Sequence, residues 1–447
     1  MKVLINQIFD LNNTKDGELI NAIKSNERDN ALREAEKIRD LKKHDVMCPN
    51  VYRDKQVWNT EYKADENGVP VATPKQTTKF VKRLPIDFNS YAIRQKATLT
   101  CGAGVGLETN NPDSPLYATF YEHYERMKLE YDIQSICEVM MNETHCAVLF
   151  YTRNNKYYYR LLSPTRGDEL TPIYDSDTDD FIGLARTYKL QEETYTDVYL
   201  QNGERIYIER YKNDILVDTI PLPFRKLPIV YFEQPQHELE HIKDLLSTWE
   251  IEFSKYNETM EYFGDPFMFV KGSEVNLPTA TDRGQVIQST GIDGDAKILT
   301  PDNATDMRAL QFSMLKELIH KLSFVAPIDF ESLKGTGSIA SSTIELLMID
   351  AFMDASRRQN GEFGKGVQRM FNWLLDELKS RTLDKEADLT ITPLFRRYSL
   401  KGQDELIEMY MKANGNLPLI GQEESVEQVG LANDLSFINN NDDNNTE

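Results

Sequence analysis

The sequence predicts an α+β fold, and two changes of hydrophobic period carry the prediction. From Cys146 to Phe232 apolar residues recur with a period of two between turn-forming dipeptides, the pattern of an antiparallel meander. From Glu238 to Arg381 they recur at spacings of three and four, the pattern of helices. A turn-rich block from Asp265 to Thr305 interrupts this helical half and makes it segmental.

Residues 16–43 are rich in Glu, Lys, Arg and Ala, with sparse apolar positions such as Leu19, Ile23, Leu32 and Ile38, and predict a surface helix or helical pair. Asp65 to Lys79, with Gly68, Pro70 and Pro74, reads as a flexible loop. An aromatic helix-like segment with Phe88, Tyr91 and Ile93 closes in a Gly102-Ala103-Gly104-Val105-Gly106 turn. One helix then runs from about Pro115 to Glu143 on Leu116, Phe120, Tyr124, Met127, Ile136 and Met140. Meander strands follow at Ala147 to Tyr151, Tyr157 to Leu162, Ile206 to Tyr211 and Ile229 to Phe232. Asn154-Asn155, Asp175 to Asp180, Asn202-Gly203 and Asn213-Asp214 supply turns.

In the helical half, Leu239, Ile242, Leu246, Trp249, Phe253, Tyr256, Met260 and Phe263 make the apolar stripe of one rod. Its other face carries Glu238, Glu240, Asp244, Glu250, Glu252, Glu258 and Glu261 against Lys243 and Lys255, so the rod is acidic. A second helix starts near Asp306, a residue suited to an N-cap, and ends before Pro327. The insert between them has three prolines and four glycines, which suits short strands and turns. After Lys334-Gly335-Thr336-Gly337-Ser338, the string Ser342-Thr343-Ile344-Glu345 has capping-box form and opens a long helix. Gly361, Gly364 and Gly366 predict a kink or break in it, since each glycine costs roughly 1 kcal/mol in a helix interior. Leu389 to Ser399 reads as a further strand that could rejoin the meander, and Asp404 to Lys412 and Ser425 to Leu435 as short helices. Asn439 to Glu447 has the composition of a disordered tail.

The chain has 447 residues, enough for two to four substructures and a sizeable core. Its 72 acidic and 51 basic residues leave a net charge of −21, which argues against tight binding to a phosphate backbone. Four cysteines (Cys48, Cys101, Cys137, Cys146) lack the short paired spacings of a zinc ribbon or disulfide framework, which fits a reducing compartment. No apolar run suits a signal peptide or a membrane span, so we expect cytosolic synthesis, or a particle assembled there.

Four strings carry catalytic or ligand-binding associations. His237-Glu238-Leu239-Glu240-His241 is a literal H-E-x-x-H, which raises a zinc metallopeptidase as the alternative function. Glu261, the tempting third ligand, falls about 30 Å along an unbroken rod from His241, and His237 falls in a solvated first helical turn. Gly102 to Gly106 lacks G-x-G-x-x-G spacing, and Lys334 to Ser338 lacks the P-loop order. Asp175-Ser176-Asp177-Thr178-Asp179 starts like an EF-hand, but Asp180 replaces its glycine and Arg186 its glutamate. No catalytic, cofactor-binding or metal-binding residue is assigned.

From Leu84 to Leu431 the element order and local phrases resemble a tailed-bacteriophage portal protein, the head-to-tail connector of the long-tailed siphophage type. The phrases are Phe88 to Gly102 before a helix, Leu161-Leu162-Ser163-Pro164, Pro172-Ile173-Tyr174-Asp175 and Lys226 to Phe232 leading into the rod. Tyr262 to Met268, the Gly/Ser loop with its long helix, and Phe395-Arg396-Arg397 complete the set.

The resemblance implies a portal-type fold: an N-terminal region (1–83), a β-rich wing (84–237), stem helix 1 (238–264), an α/β clip (265–305) and stem helix 2 (306–325). A tunnel loop (326–341), a long kinked spine helix (342–384), a wing strand (385–400), a small crown (401–438) and the disordered tail (439–447) follow. It implies a non-enzymatic homo-oligomeric ring, a dodecamer of about twelve copies, around a channel for double-stranded DNA at one capsid vertex. Partners implied are the terminase large subunit, a head-tail adaptor, and the major capsid and scaffold proteins, in the virion and earlier in the host cytoplasm, with no membrane and no cofactor. Implied tunnel-loop residues are Lys334, Thr336, Ser338 and Ser341; stem-wall residues are Glu250, Glu258, Glu261 and Lys321; clip residues are Lys271, Glu274, Arg283 and Asp293. An acidic wall suits such a channel because it repels phosphates, and a dodecamer would sum to roughly −250 charges.

Overall fold

A computed structural model describes residues 3–5, 21, 23, 30–48, 54–64, 70–80, 82–264, 267–271, 275–276, 288–289, 295–299, 305–326, 348–381, 388–396 and 411–412. β1 (Val3–Ile5) and α1 (Asn30–Arg39) precede a hairpin of β2 (Asp54–Ala64) and β3 (Pro70–Phe80). α2 (Phe88–Cys101), β4 (Val105–Thr109), α3 (Pro115–Arg126) and α4 (Leu129–Glu143) follow. The strand-rich centre holds β5 (His145–Arg153), β6 (Lys156–Leu162), β7 (Glu169–Asp175), β8 (Phe181–Leu190), β9 (Glu193–Asn202), β10 (Arg205–Lys212), β11 (Ile215–Pro221) and β12 (Ile229–Glu233). α5 (Lys243–Gly264) and α6 (Thr305–Ser323) enclose β13 (Phe267–Lys271), β14 (Val275–Asn276), β15 (Gln288–Ser289) and β16 (Asp295–Leu299) in sequence. α7 (Ile349–Asn360), α8 (Glu362–Arg381) and β17 (Ile391–Phe395) complete the described elements.

Two sheets dominate the strand-rich centre. The larger has the order β1-β7-β8-β9-β10-β11, antiparallel throughout except for β1 on β7, and the smaller has the order β12-β5-β6. The central strands are buried on both faces, and Asn154-Asn155 and Asn213-Asp214 take the left-handed turn conformations their side chains tolerate. Leu162, Leu170, Leu184, Tyr199, Ile208 and Tyr231 fill the space between the sheets. The far face of the larger sheet buries Ile173, Val198 and Leu200, with Ile23 from the N-terminal region in the same cluster.

The far face of the smaller sheet packs on α8, α3 and α4. Phe150 stacks on Trp373 at 4.3 Å, and Phe371 meets Phe120 and Tyr124 edge-on at 5.8 and 5.7 Å. Each such burial contributes about 1.5–3 kcal/mol, which makes α8 the centre of the largest core.

Several sequence expectations are corrected. The helix expected from Pro115 to Glu143 is two helices, because Lys128 takes a left-handed conformation (φ 56°) between α3 and α4. The loop expected at Asp65 to Lys79 contains most of β3, whose Pro70 and Pro74 have the same parity and so place their missing N–H groups on one side of a two-stranded ribbon. The Gly102 to Gly106 turn runs directly into β4. β4 pairs with β17, so the late strand expected to rejoin the meander forms its own two-stranded sheet. Met411 and Lys412 are helical; the rest of the crown and tail expectations, and the Ser342 capping box, lie outside the described residues.

The glycine run has two explanations. Gly361 leaves the helix in an extended conformation and separates α7 from α8. Gly364 and Gly366 lie inside α8, where a side chain has no room: a Cβ on Gly366 would stand 2.3 Å from the Phe232 ring. Gly366→Ala should therefore cost about 2 kcal/mol in a urea unfolding series, within the range for overpacking, and Phe232→Leu in the same chain should recover part of it. An unchanged midpoint would show that α8 can move away from β12.

Candidate functional site

α5 and α6 pair antiparallel along an aromatic seam. Phe312 stacks between Trp249 (5.5 Å) and Phe253 (5.4 Å), and near the other end Leu239, Ile242 and Ile319 are buried with Phe88, Ala92 and Val325. The rest of α5 is laced to the segment before α2. Leu84 N–H donates to Ser254 Oγ (3.0 Å), Ile86 N–H to Glu250 Oε1 (2.7 Å), and Arg83 faces Glu258 at 3.8 Å.

Glu250 is thus corrected as a wall residue. It is 3% exposed, and its carboxylate is committed to Ile86 and to His44 Nδ1 at 2.7 Å. His44 Nε2 faces the Ile38 carbonyl at 3.1 Å, so both ring nitrogens meet acceptors and both must carry protons. Burial lowers the His44 pKa, but the Glu250 hydrogen bond and charge outweigh it and the net shift is upward. Glu258 is half-buried and Lys321 is exposed. Lys271 lies on β13, while the side chain of Glu261 and all of Glu274, Arg283, Asp293, Lys334, Thr336, Ser338 and Ser341 lie outside the described residues.

The H-E-x-x-H string is dispersed among structural roles. α5 begins at Lys243, after a 3-10 turn at Glu240–Ile242, so the string precedes the helix instead of opening it. His237 is 1% exposed, not solvated; its Nδ1 accepts the Leu239 N–H (3.1 Å), and burial lowers its pKa to about 4. His241 Nε2 donates to the Leu322 carbonyl (2.9 Å), joining the start of α5 to the end of α6. Among the described residues no group of His, Cys, Asp and Glu is arranged to hold a metal ion.

Glu238 belongs to a buried ion cluster. Its Oε1 accepts from Lys96 Nζ of α2 (2.7 Å) and Arg358 Nη2 of α7 (2.8 Å), and Asp354 Oδ2 accepts from the same two cations, from Lys96 at 3.1 Å. Burial raises the Glu238 pKa, but Arg358 and Lys96 outweigh it and hold it at about 2. Arg358 also reaches Thr100 Oγ1 (3.3 Å), and Gln359 donates to the Thr100 carbonyl (2.6 Å).

The same helix α2 holds the end of α6. Phe324 occupies the left-handed position of a Schellman cap (φ 56°), a place usually given to glycine, with Val325 N–H donating to the His320 carbonyl at 3.1 Å. Gln95 then clamps Ala326 twice, accepting its N–H at 2.9 Å and donating to its carbonyl at 3.3 Å. Leu99, Ala326, Met348, Ala351 and Ala355 share one apolar cluster. Both flanks of residues 327–347 are therefore anchored on α2, at Gln95 and at Lys96. Sequence reasoning missed Lys96, Gln95, Asp354 and Arg358. The available signals were a lysine amid Ala92, Ile93, Ala97 and Leu99, and an Asp354–Arg358 pair at helical spacing.

Removing one partner of a buried ion network leaves uncompensated charge, so Lys96→Ala should destabilise the protein by about 3 kcal/mol in denaturant unfolding. A loss below about 0.5 kcal/mol would mean that water replaces the ammonium without cost. His44 sets a pH dependence: its folded pKa lies above the unfolded value, so its stabilisation is complete below about pH 6.5 and fades as pH rises through the folded pKa. Thermal melts between about pH 5.5 and 9 should fall accordingly. Glu250→Gln should flatten that decline, and an equally steep decline in the variant would exclude the pair as its source.

Comparison with known proteins places these elements. The family described as phage portal protein, SPP1 Gp6-like, matches residues 22–434. No curated protein matches the chain. Among solved structures, the neck of an empty GTA particle computed with C6 symmetry is similar at 10% identity and a TM-score of 0.45, over 77% of this chain and 90% of that one. The neck of a native GTA particle computed with C12 symmetry is similar at 11% identity and a TM-score of 0.41, over 77% and 91%. With the family match spanning both larger sheets, the α5–α6 pair, the ion cluster and α8, the chain belongs to the SPP1 Gp6-like phage portal proteins.

Proposed function

We propose that this chain is the repeating unit of a ring-shaped channel at one capsid vertex, through which double-stranded DNA is packaged and ejected. The observation that carries the ring is on α6. Met307, Leu310, Met314, Leu318 and Leu322 recur at spacings of three and four and are 74%, 62%, 56%, 43% and 44% exposed in the protomer. A contiguous apolar stripe on a helix that already packs its other side on α5 calls for a further surface to cover it, and the neighbouring copy in a ring supplies one.

In this reading α5 and α6 are the stem, β13 to β16 belong to the clip, and residues 326–341 form the tunnel loop. The clip engages the terminase large subunit and then the head-tail adaptor; the wing meets the major capsid and scaffold proteins. Assembly takes place in the host cytoplasm and ends in the virion. Asp244, Glu252 and Glu258 on α5 and Glu317 on α6 contribute negative charge to the stem, and Lys321 and Lys334 are the cations we assign to transient phosphate contact. An acidic wall keeps such contact weak enough for DNA to slide.

Met314→Glu with Leu318→Glu should abolish rings while leaving a folded protomer, as read by electron microscopy and mass photometry alongside circular dichroism. Intact rings from that variant, or a monomeric wild type under conditions that support particle assembly, would count against the reading.

A further inference from the structure

The β5–β6 hairpin departs from the charge balance of the chain. Thr144 to Gly167 contains no Asp or Glu, yet holds Arg153, Lys156, Arg160 and Arg166, in a protein of net charge −21. Register places three of these cations on one face. Arg153 opposes Lys156, Tyr151 opposes Tyr158, and Leu149 opposes Arg160, and opposed residues share a face. Leu149 packs toward the larger sheet and covers the base of that face, whereas Tyr151, Arg153 and Lys156 at the tip are exposed.

The tip is built around aromatic rings. Tyr151 and Tyr158 stack at 5.8 Å, and the Arg126 guanidinium lies 5.5 Å from the Tyr158 ring. Arg153, Lys156 and Arg160 have no carboxylate partner among the described residues. Two acids near the hairpin are engaged elsewhere: Asp132 accepts from Tyr159 on the opposite face, and Glu377 from the Arg225 N–H. Arg160 borders a cleft of about 700 Å³ that also contains Glu169, Glu233 and the Asp168–Arg186 pair, so it is the least isolated of the three.

We propose that this hairpin face is a second contact surface for duplex DNA, outside the channel. Lys156 and Arg160 are about 13 Å apart along β6, so the cations spread over more than one phosphate. The face exposes tyrosine hydroxyls, asparagine amides and cations, but no aliphatic side chain at its tip, which disfavours a protein partner needing an apolar centre. Binding here is backbone-directed, without sequence preference, and strongly weakened by salt.

The inference rests on the ring reading for its place outside the channel, and the test separates the two. Relaxed closed-circular duplex DNA cannot thread a preassembled ring, so its binding to the assembled protein reports outer surfaces only. A variant carrying Arg153→Gln, Lys156→Gln and Arg160→Gln should weaken that binding at least about tenfold at 50 mM salt and flatten the log–log salt slope by about 2.7, which is 0.9 per lost cation. Arg153→Lys with Arg160→Lys, which retains the charge, should bind nearly as the wild type does. An unchanged slope in the glutamine variant would overturn the proposal. So would polyglutamate binding as tightly as DNA at equal charge, which would assign the face to an acidic protein instead.

Discussion

Four charges buried against one helix set the geometry of this protein. Lys96 of α2 and Arg358 of α7 share the carboxylates of Glu238 and Asp354, and removing any one of the four leaves its partners with uncompensated charge in a largely buried site. Three separate stretches of chain meet there: α2, the lead-in to α5 and α7, the helix that follows residues 327–347. The residue before Lys96 on α2, Gln95, grips the exit from α6. Direction comes from charge and hydrogen bonding, because the apolar packing of Leu99, Ala326, Met348, Ala351 and Ala355 beside it is non-directional.

Around that junction the protein segregates its charge. Several acids of the α5 region are tied up internally: Glu250 by His44 and Ile86, Glu238 by the cluster, and Glu240 by Lys243. The solvent-facing remainder still leaves α5 acidic. Cations without a carboxylate partner among the described residues gather on the tip of the β5–β6 hairpin. Such a distribution lets one polypeptide repel a polyanion along one surface and attract it weakly at another, which a uniform net charge could not do.

Composition, period and turn chemistry are local properties, and they were legible from the residues. The alternation from Cys146 to Phe232 appears as two sheets, and the three-four spacing after Glu238 as α5 to α8. Failures fell where local signals competed with distant contacts. Nothing in Met127-Lys128-Leu129 announces a break, since no glycine or proline marks it, and the helix divides because α3 and α4 must pack on different parts of the core. Proline in β3 suggested a loop, yet a two-stranded ribbon accepts it on its open side.

By itself the sequence determined that this is an α+β protein with a β-rich half, a segmented helical half and an excess of acid, and its phrases pointed to the portal family. Tertiary structure decided which charges face solvent and which are consumed in the interior. Glu250 and Glu258 look alike on a helical wheel, but only Glu250 meets a histidine and a backbone amide from chain far away in sequence. Burial and pairing depend on what folds against a residue, and no local period encodes that. The two inner glycines of α8 make the same point: sequence marked them as helix breakers, while the fold uses Gly366 to admit the ring of Phe232 and Gly364 to let the Gln359 backbone approach.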